Sequence, residues 1–146
     1  MGNRTVALLS ETTSHRSWNM SQIKSKDTSI ELAVRRYLFS KGFRFRKNDR
    51  RYPGTPDIVL PKYKTVIFIH GCFWHRHPYC SKATTPKTNA EFWQAKFDRN
   101  VANDKKHYAE LETQGWNVIV IWECELSKQN FQGTMDRVVH EIECVV

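Results

Sequence analysis

Thr65-Val66-Ile67-Phe68-Ile69-His70 runs directly into Gly71-Cys72-Phe73-Trp74-His75. A short, almost wholly apolar run of β-branched and aromatic residues is the pattern of a strand covered on both faces at the centre of a sheet. Upstream, Arg51-Tyr52-Pro53-Gly54-Thr55-Pro56 is turn chemistry, and Asp57-Ile58-Val59-Leu60 is a short strand stopped by Pro61. Residues Phe43 to Arg46 alternate apolar and basic side chains, as a half-buried strand does. Before them, Thr28-Ser29-Ile30-Glu31 has the form of a capping box, Ile30, Val34, Tyr37 and Leu38 recur at helical spacing, and Gly42 supplies the stop. Downstream, residues 71–88 read as a loop rich in His, Cys, Pro and Lys. A long helix is predicted from near Asn89, with a stripe of Trp93, Phe97, Val101, Tyr108 and Leu111, ended by Gly115. Trp116 to Trp122 is another buried strand, and a last amphipathic helix is predicted from about Thr134 to Val145. The order helix, three strands, helix, strand, helix predicts one mixed α/β domain over residues 27–146. Residues 1–26 are polar and Ser/Thr-rich and read as a flexible arm, with Trp18, Met20 and Ile23 as its apolar points.

With 146 residues the chain has the length of one domain able to bury a core without disulfides. Its formal net charge of +8 favours a polyanionic partner, since each Lys or Arg that neutralises a phosphate releases a counterion. No apolar run approaches the roughly 18 to 20 residues that span a bilayer, and the opening residues lack the features of a signal peptide. A soluble, cytoplasmic protein is expected, in which the four cysteines serve as metal ligands or free thiols before disulfides.

Cys72, His75, His77 and Cys80 crowd one loop, and Cys124 closes the last strand. Thiolate and imidazole donors are those of a structural zinc site, and a ligand from a distant strand end would staple the loop to the sheet. The four ligands chosen are Cys72, His77, Cys80 and Cys124; the plainer reading leaves them as unrelated loop residues with Cys124 a core thiol. His75 is then spare, and a spare imidazole beside a closed metal site is a candidate general base.

Asp57 opens one strand and His70 closes its neighbour. A carboxylate there, with a backbone carbonyl, water and a phosphate, gives the hard oxygen donors that Mg2+ takes. Asp104 falls on the apolar stripe of the long helix, where a carboxylate is costly unless paired. An Arg at the helix rim would satisfy it; so would a histidine that it orients, or a metal-coordinated water. Glu31 is either the capping residue alone or a further group of the site.

Pro53 to Asp57, the string Val66 to His75 with its HGCFWH core, Thr28 to Glu31, Glu91-Phe92-Trp93, Asn100 to Asp104, and Gly115-Trp116 through Trp122-Glu123-Cys124 together resemble the very-short-patch repair (Vsr) endonucleases. The similarity runs from about Arg16 to Leu126. It implies a restriction-endonuclease-like fold, with a mixed central sheet flanked by helices and a structural zinc site, and a nick 5′ to the thymine of a T·G mismatch left by deaminated 5-methylcytosine. By position, Asp57 corresponds to the family's Mg2+-binding aspartate, with Ile69 contributing a backbone carbonyl. His75 corresponds to its general base, His70 to a second active-site histidine, Asp104 to the supporting acid and Glu31 to a first-helix glutamate. Cys72, His77, Cys80 and Cys124 correspond to its zinc ligands.

Phe73, Trp74 and Trp93 correspond to an aromatic wedge that enters the duplex beside the mismatch, and Met20 to an apolar residue inserted from the other side; without the resemblance the three rings read as core. Two departures stand out. Ile69 replaces a frequent Thr, and the loop between His77 and Cys80 is one residue longer than the family pattern. The expected partner is mismatched double-stranded DNA bound by a monomer, with other mismatch-repair proteins as further candidates. Two other functions fit less of the sequence: a same-fold nuclease with another DNA target, and a non-catalytic zinc-stabilised nucleic-acid-binding module.

Overall fold

The structure is a computed structural model that describes residues 28–144, so the arm and its Met20 lie outside the described residues. Helix α1 spans Ser29–Ser40, and the Thr28 hydroxyl caps it by accepting from the Glu31 N–H at 3.4 Å. Strands β1 (Arg46–Lys47), β2 (Ile58–Leu60) and β3 (Thr65–His70) follow, the last two joined by a 3-10 turn over Pro61–Tyr63. A single helical turn, α2 (Cys72–His75), then leads to the long helix α3 (Ala90–Thr113). Strand β4 (Asn117–Trp122), a second 3-10 turn (Glu123–Leu126) and helix α4 (Phe131–Cys144) complete the chain.

The sheet order is β1-β2-β3-β4. β2 pairs antiparallel with β1 and β3, while β3 and β4 run parallel from Thr65↔Asn117 to His70↔Trp122. Parallel neighbours need a crossover, and α3 supplies it. All six residues of β3 are buried, as its apolar run predicts for a central strand.

Side-chain alternation divides the core into two layers. Ile58, Leu60, Ile67, Ile69, Ile119 and Ile121 pack with Val34 and Leu38 of α1 and Met135, Val138 and Ile142 of α4. Val59, Val66 and Phe68 face the other way, against Leu111 and Tyr108 of α3. Continuing each alternation to the strand ends puts Asp57, in step with Val59, and His70, in step with Val66 and Phe68, on the α3 side. That arithmetic positions the site.

Three local predictions are corrected. Strand β1 begins at Arg46 rather than Phe43, because Phe43 is buried in the core and packs edge-on against Tyr63 at 5.3 Å; burial of a Phe side chain, about 1.5 to 3 kcal/mol, outweighs one more rung of an exposed edge strand. The segment expected as all loop contains α2. Helix α4 starts at Phe131, ahead of Thr134, and its first turn is tied back when the Thr134 hydroxyl donates to the Glu125 carbonyl at 2.6 Å. Among the described residues no helix is long and apolar enough to cross a membrane.

Candidate active site

A cleft of about 410 Å3 opens at the carboxyl end of β3, lined among others by Glu31, Asp57, Ile69, His70, Trp74 and His75. Asp57 and His75 therefore reach the same cleft, from the start of β2 and from the end of α2. Helix α1 supplies Glu31, whose carboxylate also lies 3.9 Å from Arg35 one turn on.

Asp57 Oδ2 accepts from the Ile69 N–H at 2.6 Å. Extending the β2–β3 register places Pro56 opposite Ile69, and a proline has no N–H to offer. The side chain of Asp57 takes up the strand N–H, and the Ile69 carbonyl, which points to the same side as its own N–H, meets no ladder donor from Pro56. Two carboxylates and that carbonyl are hard oxygen donors, and they fit a divalent cation of the Mg2+ kind. Burial pushes Asp57 up to about 7, and the Glu31 charge adds to this, against the Ile69 N–H and His75, which pull it down.

This shift makes a testable prediction. A carboxyl whose folded pKa lies above its ordinary value of 3.8 holds a proton that the unfolded chain has released, so its contribution to stability is lost as pH rises from about 4 to about 7. Burial, together with the charge of His75, lowers His70 to about 3, which works in the opposite sense and removes stability as pH falls from about 6.5. The effect of a cation would isolate Asp57, because an ion bound there would take the place of its proton. Millimolar Mg2+ is expected to raise the thermal unfolding midpoint at pH 8 and hardly at pH 5; equal shifts at both would contradict the assignment.

Across the cleft, His75 Nδ1 lies 2.6 Å from Asp104 Oδ2, so a histidine, rather than an arginine at the helix rim, meets this carboxylate. A carboxylate that accepts from Nδ1–H fixes the proton there and leaves Nε2 with its lone pair. The imidazole of His70, only 5% exposed, stacks under that of His75 at 3.7 Å between centroids and 12° between planes. The donor atoms of His70, His75 and Asp104 lie within 4.8 Å of one another. Parallel rings nevertheless point their in-plane lone pairs side by side rather than at one centre, so this trio is built as a hydrogen-bonded stack rather than a chelate.

The four residues chosen as metal ligands converge as well. Donor atoms of Cys72, His77, Cys80 and Cys124 lie within 4.8 Å of one another, with His77 Nδ1 at 3.6 Å from Cys72 Sγ and 3.4 Å from Cys124 Sγ. A tetrahedral ion with sulfur bonds near 2.3 Å and nitrogen bonds near 2.0 Å needs edges of about 3.5 to 3.8 Å. The donor set therefore fits a metal ion, Cys80 included despite its lengthened loop. All four cysteines are free thiols; burial pushes Cys72 up to about 12, so a bound ion must displace its proton. The one turn of α2 carries Cys72 into this cluster and His75 into the cleft. Glu123 reinforces it by accepting from the Cys72 N–H at 3.4 Å, and Trp122 stacks on His77 at 4.4 Å while standing edge-on to His70 at 5.5 Å.

The three wedge candidates form one aromatic cluster between α2 and α3. Phe73 meets Trp74 at 5.2 Å, and Trp74 meets Trp93 at 6.0 Å. Trp74 is 6% exposed, and Phe73 and Trp93 are half-buried. Two contributors escaped the sequence reading. Arg76 braces the following loop, donating to the carbonyls of Phe73, Ala83 and Thr84 at 2.8 to 3.1 Å. Tyr108, read only as part of an apolar stripe, places its hydroxyl 2.5 Å from His70 Nε2.

Residues 10–82 match the family described as DNA mismatch endonuclease Vsr. Among curated relatives, the type II nicking enzyme V.NmeAIP of Neisseria meningitidis is 53% identical over 92% of this chain and 96% of its own length. The type II nicking enzyme V.XorIIP of Xanthomonas oryzae is 46% identical over 77% and 82%. The DNA mismatch endonuclease Vsr of Escherichia coli is 43% identical over 76% and 70%. A basic α/β chain with these relatives is a DNA endonuclease. It belongs to the Vsr family.

Proposed function

We propose that the protein nicks one DNA strand 5′ to the thymine of a T·G mismatch by Mg2+-dependent phosphodiester hydrolysis, opening very-short-patch repair of deaminated 5-methylcytosine in the cytoplasm. The observation that carries this reading is the shared cleft in which Asp57 and Glu31 face the His75–Asp104 pair. The similarity to a type II nicking enzyme and to a DNA mismatch endonuclease supports the same reading.

Asp57, the Ile69 carbonyl and Glu31 would hold the magnesium ion. When bound, the ion supplies positive charge beside the phosphate, where negative charge grows in the transition state. Nε2 of His75 takes the proton of the attacking water, and Asp104 holds the ring in the needed tautomer and stabilises the imidazolium that results. His70, buried and neutral, supports His75 from below. Cys72, His77, Cys80 and Cys124 would hold a structural Zn2+, a closed site of three thiolates and one imidazole, within a restriction-endonuclease-like arrangement of the sheet.

Phe73, Trp74 and Trp93 would replace the stacking of an opened base step, with Met20 entering from the opposite side. Unstacking costs a few kcal/mol, least at a mispair, so deformability itself discriminates. The net charge of +8 supplies the sequence-independent share of duplex affinity.

The deciding comparison is magnesium-dependent nicking of a T·G duplex and of the same duplex with T·A. Cleavage of T·G at least about a hundred times faster is expected, since each wrong pair in a recognised site costs about 1 to 3 kcal/mol and the opened step adds to it. Equal cutting of both would mean another DNA target. Binding without any cutting would leave a zinc-stabilised module.

A further inference from the structure

We propose that Tyr108 is a positioning residue for the catalytic pair, its hydroxyl donating to His70 Nε2 so that His70 stays in one tautomer and one orientation as the shelf on which His75 lies. The inference rests on the assignment of His75 as general base.

Its geometry comes from one helix. Asp104 and Tyr108 stand four residues apart on α3 and so share a face. Asp104 grips His75 Nδ1 at 2.6 Å, and the Tyr108 hydroxyl meets His70 Nε2 at 2.5 Å. The two imidazoles, 3.7 Å apart and 12° from parallel, are thus held from the same helix, each by one nitrogen. The Tyr108 ring is itself seated, packing edge-on against Phe68 at 5.3 Å and lying 6.0 Å from His70. Its position is set by packing and only its oxygen is spent on His70.

An imidazole buried at a strand end has two faces and two tautomers of similar energy unless a partner chooses between them. A phenol that donates to Nε2 leaves the proton on Nδ1 and forbids the ring flip that would exchange the two nitrogens. A stacked neighbour inherits that order. With the hydroxyl gone, His70 samples both forms, and His75 loses the fixed surface that keeps Nε2 aimed into the cleft, a misplacement to which proton transfer is steeply sensitive.

Tyr108→Phe keeps the ring and removes only the oxygen. The variant is expected to stay folded, unfolding a few degrees below the wild-type midpoint because a buried acceptor loses its partner, and to bind duplex with unchanged KM, while kcat falls about tenfold, the lower end of what outer-shell partners contribute. In parallel, imidazole 15N shifts of His70 should move from a single Nδ1–H form in the wild type to a mixture in the variant. A lowered kcat together with that mixture supports the proposal. An unchanged His70 spectrum overturns it whatever the activity, and so does a changed spectrum with wild-type kcat. Nicking is read on whichever duplex the wild type cuts fastest. A failure of T·G preference, which would sink the proposed specificity, therefore leaves this test standing.

Discussion

His75→Ala and Asp57→Asn are each expected to lower the single-turnover nicking rate at least about a hundredfold while leaving duplex affinity and the unfolding midpoint near wild type. The magnitude is that of a positioned general acid or base, about 10²- to 10⁴-fold. His75 is half-buried and lines a cleft rather than the core, so truncation removes the proposed proton acceptor without opening the interior. Asp57→Asn keeps an oxygen to accept from the Ile69 N–H at the β2–β3 edge and removes only the charge that would hold the ion. Burial already works against that charge, so the amide is tolerated by the fold and refused by the chemistry. Rate measurements beside duplex titrations and thermal melts check both; parallel loss of binding would assign the two residues to substrate affinity.

Cys124→Ala is expected to act through stability instead. Cys124 sits just past the end of β4, and its sulfur lies 3.4 Å from His77 Nδ1. With three donors left, the cluster no longer closes a tetrahedron, and the binding free energy of a structural ion is folding free energy. A loss of about 3 kcal/mol or more, the range for a lost metal site, lowers the unfolding midpoint by about 10 °C in a chain of this size. Nicking should fall in step, since α2 holds Cys72 and His75 on the same turn. A zinc-selective chelator, with Mg2+ kept in excess, should reproduce both effects in the wild type. A variant that is stable, free of metal and fully active would refute the role.

Much of this molecule is legible in the chain because its signals are local and periodic. The apolar run Thr65–His70 became the central strand, and the stripe Trp93, Phe97, Val101, Tyr108, Leu111 became the inner face of α3. Cys72, His77, Cys80 and Cys124 were readable as a set because few other tasks use three thiols and an imidazole in one neighbourhood. Asp104 was marked as anomalous by its place on an apolar stripe, although spacing could not say that His75, and not an arginine, answers it.

What escaped the chain is short or partner-dependent. Four residues of α2 are too few to carry a helical period, and Phe43 left the strand pattern for a core that only the tertiary fold creates. The periodicity that put Tyr108 on the buried face is silent about its hydroxyl, and the guanidinium of Arg76 finds its carbonyls only once the loop has closed over it.

The central claim is that Asp57 and His75 work on one phosphodiester from two sides of one cleft. A double-mutant cycle on single-turnover nicking tests it most directly, with wild type, Asp57→Asn, His75→Ala and the double variant compared at saturating Mg2+ on a T·G duplex. Groups that act as a unit lose almost everything at the first removal, so the double variant should be about as slow as the slower single one. Losses that multiply in full, or a single variant that nicks at the wild-type rate, would contradict the account.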